Sequence, residues 1–147
     1  MIDQVHRITD IIENALEEKK VRAAVFLDVA QAFDKVWHGG LLVKLHEYLP
    51  EQFFEIMRSY IEDRHFRVRH GCEHPNLQKI LAGVPQGSVL GPTLYLLYTN
   101  DIPYDENATI ATFADDTAIL AVDENVHEAT FKIQRAINKI HEWTTRC

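Results

Sequence analysis

Thr109-Ile110-Ala111-Thr112-Phe113-Ala114-Asp115-Asp116-Thr117-Ala118-Ile119-Leu120-Ala121-Val122 reads as two β-prone arms folded about a pair of acids. The arms, Thr109 to Phe113 and Thr117 to Val122, are apolar and β-branched, as strands of a packed sheet require. Asp115 and Asp116 are adjacent carboxylates at the bend, where like charges repel and loss of water would worsen the repulsion. Turns accommodate aspartate well, so a purely structural Asp-Asp turn is the alternative.

Upstream, Ala23 to Val29 is a second apolar run of strand length, and it delivers another acid in Val25-Phe26-Leu27-Asp28-Val29. A carboxylate ending a buried strand is costly unless something binds it. A hard cation does so well, because Mg²⁺ prefers carboxylate oxygens and keeps several waters. If this strand neighbours the hairpin, Asp28, Asp115 and Asp116 converge on one point. Two divalent ions about 3.5–4 Å apart could neutralise them and stabilise both oxygens of an in-line phosphoryl displacement. Phe33 follows five positions after Asp28, with Asp34 next. The bland alternative makes Asp28 a helix cap and Phe33 a core residue.

Between the two acidic stretches lies Gly83-Val84-Pro85-Gln86-Gly87-Ser88-Val89-Leu90-Gly91-Pro92. Glycines permit close backbone approach to a ligand, and a helix start presents free N–H groups. Gln86 adds a donor and an acceptor in a constrained turn. Alternatively this is an ordinary helix entry, with Ser88 as cap and Pro92 in the first turn. The three stretches in combination point more sharply than any one of them.

The remainder alternates helix and strand. Val5, Ile8, Ile11, Ile12, Ala15 and Leu16 recur at helical spacing. Ala32 to Tyr48 mixes helical and turn signals, with Gly39-Gly40 as the expected break. A helix is predicted over Glu51 to Ile61 after Pro50, then strands near Phe66 to Arg69 and Leu77 to Leu81. The Gly83–Pro92 loop leads into a helix through about Thr99, and Ala129, Ile133, Ile137, Ile140 and Trp143 mark a final amphipathic helix. Strands and helices mixed about a central hairpin predict an α+β fold rather than repeating βαβ units.

At 147 residues, 46% hydrophobic and 25% charged, the chain has the size and composition of about one globular domain. The longest apolar region, Val89 to Tyr98, is interrupted by Gly91-Pro92, so no membrane span is expected. Asp3, His6, Arg7 and Asp10 break any signal-peptide pattern. Two cysteines, Cys72 and Cys147, form no C-x-x-C pair, which predicts a reduced intracellular protein without a disulfide framework or zinc site. The net charge of −7 argues mildly against a nucleic-acid partner. Locally, Arg64, His65, Arg67, Arg69 and His70 alternate with Phe66 and Val68. That pattern suits either a strand with one basic face or a charged edge strand protected from aggregation.

In order, Phe26-Leu27-Asp28-Val29-Ala30-Gln31-Ala32-Phe33-Asp34, Gly83-Val84-Pro85-Gln86-Gly87-Ser88 and Phe113-Ala114-Asp115-Asp116 resemble the reverse transcriptase family. They match its first acidic motif, its Pro-Gln-Gly motif and its paired-aspartate motif. Ala32-Phe33-Asp34-Lys35-Val36-Trp37-His38 and Gly87-Ser88-Val89-Leu90-Gly91-Pro92 are similar to non-LTR retrotransposons of the jockey group. The likeness runs from Gln4 to Trp143. It implies an RNA-directed DNA polymerase acting on an RNA template, a DNA primer and dNTPs in the nucleus or cytoplasm. It further implies that Asp28, Asp115 and Asp116 form a triad for two Mg²⁺ ions, with Mn²⁺ as a substitute, and that the backbone of Val29 also contacts metal. Phe33 would be the aromatic gate that rejects a 2′-hydroxyl, and Gln86 a contact to the incoming nucleotide.

The implied fold is a polymerase palm, a small antiparallel sheet backed by helices, with part of the fingers. Residues 1–147 would then be a partial domain, lacking the basic N-terminal fingers and the C-terminal thumb. Such a fragment is expected to be inactive alone. These 147 residues are expected to include no endonuclease domain, which retrotransposons of this kind normally encode upstream, and Gly39 stands where a polar or acidic residue is expected. Two rivals remain: a non-catalytic remnant of a mobile element, and another two-metal palm enzyme such as a nucleotide cyclase. The Pro-Gln-Gly loop disfavours the cyclase.

Overall fold

The computed structural model describes residues 2–69 and 76–145. His70, Cys72 and Cys147 lie outside them. The described chain holds α1 (Ile2–Glu17), β1 (Val21–Leu27), α2 (His38–Tyr48), α3 (Glu51–Ile61), β2 (His65–Phe66), β3 (Gln78–Lys79), α4 (Leu90–Thr99), β4 (Thr109–Phe113), β5 (Asp116–Asp123) and α5 (Val126–Thr144). A 3-10 turn spans Ala32–Asp34. This is a mixed α+β fold, compatible with a palm-like fragment. The chain divides into two compact units, one of residues up to Ala30 and from Asp101 onward, the other Gln31–Asn100.

In the first unit the sheet order is β1-β5-β4, antiparallel throughout. Successive strand residues face opposite sides. On one side Ala23, Val25, Leu27, Ile110, Ile119 and Ala121 pack beneath Ile133 and Ala136 of α5. The final helix therefore buries the stripe that its periodicity marks. Asn125 caps it, its side-chain oxygen accepting from the His127 N–H at 2.8 Å. Phe26, Ala118 and Leu120 belong to the other side, against which α1 lies across β1 and β4.

A buried ion cluster fastens α5 to the base of the β4–β5 hairpin. Asp105 is fully buried. Its Oδ2 accepts from Arg135 Nε at 3.0 Å, and its Oδ1 accepts from Arg135 Nη2 at 2.7 Å. Lys139 Nζ lies 2.8 Å from Oδ2, and the Asn107 N–H donates to Oδ1 at 2.9 Å. Every lone pair that burial strips of water is thus answered. The Arg135 guanidinium, foremost among these partners, holds the carboxyl well below the usual carboxylate range.

The second unit is helical around Val36, Leu41, Leu45, Phe54, Ile61, Val84, Leu94 and Tyr95. Gly39-Gly40 is not a break: both residues lie in the first turn of α2. A Cβ on either would come within 2.9 or 2.8 Å of the Trp37 ring, so these glycines make room for the indole rather than ending a helix. The strands expected over Phe66 to Arg69 and Leu77 to Leu81 shrink to the pairs His65↔Lys79 and Phe66↔Gln78. All four paired residues are exposed, so no apolar face drives a longer ladder.

Candidate active site

The last β1–β5 pair is Leu27↔Thr117, and Asp28 follows Leu27 directly. Continuing that register sets Asp28 opposite Asp116, the first residue of β5. The hairpin closes at Phe113↔Asp116, leaving Ala114-Asp115 as a two-residue bend. Ala114 takes φ 53°, the left-handed conformation such tight bends demand. The sequence expectation that the two acid-bearing strands are neighbours therefore holds. Asp28 and Asp116 are exposed and Asp115 is half-buried. Val29, beside Asp28, is exposed as well.

Among the described residues, no three His, Cys, Asp or Glu side chains are gathered closely enough to hold a metal ion. The backbone brings the acids to one end of the sheet, but their carboxylates are not drawn into one cluster. Like charges in water stand apart unless a cation offsets their repulsion. The donor set still suits Mg²⁺, which takes one or two protein carboxylates and completes its shell with water and substrate phosphate. Asp28, Asp115 and Asp116 are the residues that could hold it.

Beside Asp116 a cavity of about 410 Å³ opens between the sheet and α1, walled by Phe26, Phe113 and Ala118 and by Gln4, Val5 and Ile8. Gln4 Oε1 is buried there without a hydrogen-bond partner.

The second unit holds the other predicted residues. Phe33 sits in the 3-10 turn and is half-buried, its ring 4.9 Å from that of Tyr95. The alternative reading of Phe33 as a packing residue is thus satisfied together with a partly open ring face. The Val84 N–H donates to the Phe33 carbonyl and the Gly83 N–H to the Val36 carbonyl, each at 2.8 Å. Gly83 has φ +91°, and a Cβ there would lie 2.9 Å from Asp34 Cα. Only glycine lets the two segments approach this closely. The Gly83 carbonyl accepts from His38 Nε2 at 2.9 Å and from Arg64 Nη2.

Beyond that anchor, Gln86 Nε2 donates to Asp34 Oδ1 at 2.9 Å. Ser88 Oγ donates to the Pro85 carbonyl at 2.7 Å and accepts from the Gly91 N–H at 2.9 Å, the capping role the sequence allowed it. A cavity of about 370 Å³ lies between Phe33 and this loop, with Gln86 and Pro92 on its wall.

Sequence reasoning missed Asp34, His38, Arg64 and Asp105 as partners of these elements. Arg64 appeared only as one cation of a basic run, whereas its side chain serves the Gly83 and Ile61 carbonyls. Arg135 and Lys139, four apart on α5, were the one available sign of a buried acid nearby. Among the described residues, no helix is long and apolar enough to cross a membrane.

Comparison with known proteins agrees with these motifs. The family described as reverse transcriptase (RNA-dependent DNA polymerase) matches residues 1–146. The RNA-directed DNA polymerase from mobile element jockey of Drosophila melanogaster is 39% identical over 96% of this chain and 16% of its own length. That of Drosophila funebris is 42% identical over 98% of this chain and 17% of its own. The probable RNA-directed DNA polymerase from transposon BS of Drosophila melanogaster is 40% identical over 99% of this chain and 17% of its own. The chain thus spans about one sixth of the length of these curated relatives.

Proposed function

The chain belongs to the reverse transcriptase family, and from that premise we propose that it forms the palm and part of the fingers of an RNA-directed DNA polymerase from a non-LTR retrotransposon. The observation that carries this reading is the β1–β5 pairing, which ends at Leu27↔Thr117 and so sets Asp28 against Asp116, with Asp115 in the adjoining bend. The reaction would be attack of a primer 3′-hydroxyl on the α-phosphate of a dNTP, with pyrophosphate leaving.

In this reading Asp28, Asp115, Asp116 and the backbone of Val29 hold two Mg²⁺ ions, or Mn²⁺ in their place. Bound divalent ions supply charge stabilisation to the attacking and leaving oxygens. The carboxylates contribute by fixing position, since phosphoryl transfer asks the protein mainly for alignment and electrostatics. Phe33 is assigned to exclude a 2′-hydroxyl by bulk, and Gln86 to contact the nucleotide. The RNA template and DNA primer would place the protein in the nucleus or cytoplasm.

Positioning can contribute roughly 7–11 kcal/mol to such a reaction. The segments that fill the other five sixths of the relatives are proposed to supply much of it, so the chain alone should extend primers poorly. The test is primer extension on an RNA template, with the chain alone and with the chain grafted into the jockey polymerase of Drosophila melanogaster in place of the matching segment. Extension by the graft that disappears with Asp115→Asn is the expected result. A folded graft with no extension would favour the non-catalytic remnant.

A further inference from the structure

Gln86 presents an amide whose two ends have opposite hydrogen-bonding character. A free glutamine at an exposed loop can rotate its amide by half a turn and exchange donor for acceptor at little cost. Here one neighbour removes that freedom. An ionised carboxylate only accepts, so Asp34 Oδ1, 2.9 Å away, must be met by the Gln86 NH₂ group. The amide is thereby oriented, and its carbonyl oxygen is left free of Asp34.

The approach of Asp34 to Gln86 is built into the backbone. The Phe33 carbonyl accepts from the Val84 N–H, and the Val36 carbonyl from the Gly83 N–H. Asp34 lies between those two anchor points, pressed against Gly83 where no side chain would fit. On the far side of the loop, Ser88 Oγ ties Pro85 to Gly91. Gln86 is therefore held from both flanks, and its side chain borders the same cavity as Phe33.

We propose that Asp34 is a positioning residue that fixes the orientation of the Gln86 amide toward the incoming nucleotide. The proposal rests on the reading of Gln86 as a nucleotide contact and extends it to a residue that touches no substrate. Asp34 acts through Gln86 alone, so its effect must vanish when Gln86 is removed.

The test is a double-mutant cycle in the grafted full-length polymerase, measuring KM for dNTP and kcat separately for wild type, Asp34→Ala, Gln86→Ala and the double variant. An exposed charge-assisted bond of this kind corresponds to about a tenfold effect. Asp34→Ala should raise the dNTP KM by about that factor with kcat within about twofold, and the double variant should be no worse than Gln86→Ala. Asp34→Asn, whose amide can either accept from Gln86 or donate to it and so no longer dictates the orientation, should recover only part of the loss. Thermal melting of the 147-residue chain should be the same for wild type and Asp34→Ala. Additive losses in the double variant, or a falling kcat with unchanged KM, would overturn the positioning role. An active wild-type graft whose Gln86→Ala variant is kinetically normal would overturn the nucleotide contact and the proposal with it. An inactive wild-type graft would instead defeat the polymerase reading on which both stand.

Discussion

Replacing Asp105 with asparagine removes one charge from the centre of the buried cluster while keeping its shape. In the native chain the carboxylate meets the two nitrogens of Arg135, Lys139 Nζ and the Asn107 N–H. In Asp105→Asn one oxygen becomes an NH₂ group facing Arg135 and Lys139, donors against donors. Removing one partner of a fully buried pair costs about 3–5 kcal/mol. The side chains of Arg135 and Lys139 are 42% and 43% exposed, so they can turn part-way to water. A net loss of about 2–4 kcal/mol follows, equivalent to roughly 5–15 °C in the melting midpoint of a chain this size. Urea denaturation at pH 7, followed by circular dichroism, would measure it. The pH dependence is a second check. Because the folded-state pKa is depressed, the contribution is complete above the ordinary value of 3.8 and is lost as pH falls from there toward the folded value. Wild type should therefore lose stability more steeply than Asp105→Asn on acidification below about pH 4. Equal urea midpoints and equal acid slopes would refute the view that this cluster fastens α5 to the hairpin.

Gly83→Ala should destabilise the chain by about 1–3 kcal/mol, because φ +91° and the contact with Asp34 both exclude a Cβ. A melting midpoint within a degree of wild type would show that the loop has another place to go. In an active graft, Phe33→Val should relax discrimination against ribonucleotides by about ten- to two-hundredfold, the range of a single steric contact of about 1–3 kcal/mol. Competition between ribo- and deoxyribonucleotides reads this directly, and unchanged selectivity would remove Phe33 from the gate. Asn125→Ala should cost about 0.5–2 kcal/mol through loss of the α5 cap. Amide exchange at His127 should quicken accordingly; unaltered protection would mean that water replaces the cap.

Much of the architecture was legible because local pattern and final burial coincide. The two β-prone arms, Thr109 to Phe113 and Thr117 to Val122, mark β4 and β5, and the spacing of Ala129, Ile133 and Ile137 marks the face of α5 that covers them. Where local signals competed with tertiary contact, the reading went astray. Gly39-Gly40 carries the composition of a helix break, yet the Trp37 ring lying across it makes the pair a packing feature. The alternating basic run from Arg64 has the period of a strand, but its apolar residues Phe66 and Val68 stay exposed, so among the described residues of the run only His65 and Phe66 pair.

By itself the sequence determined the family, because Asp28, Phe33, Gln86, Asp115 and Asp116 stand in three ordered motifs, and it named these residues as the ones proposed to bear the chemistry. It also marked the strand ends and the bend at which the acids stand, since strand propensity is local. What it could not determine was register. A slip of one residue between β1 and β5 would turn every side chain of one strand to the opposite face, and nothing local to either strand forbids it. The pairing Leu27↔Thr117 is decided by the need to set Val25 against Ile119 and Ala23 against Ala121 beneath α5, and that choice alone brings Asp28 level with Asp116. The partners of Asp105 and Gln86 were likewise invisible, because Arg135 lies 30 residues away and Asp34 lies 52. Bonds over such separations exist only after packing has met the entropy of closing the chain between them.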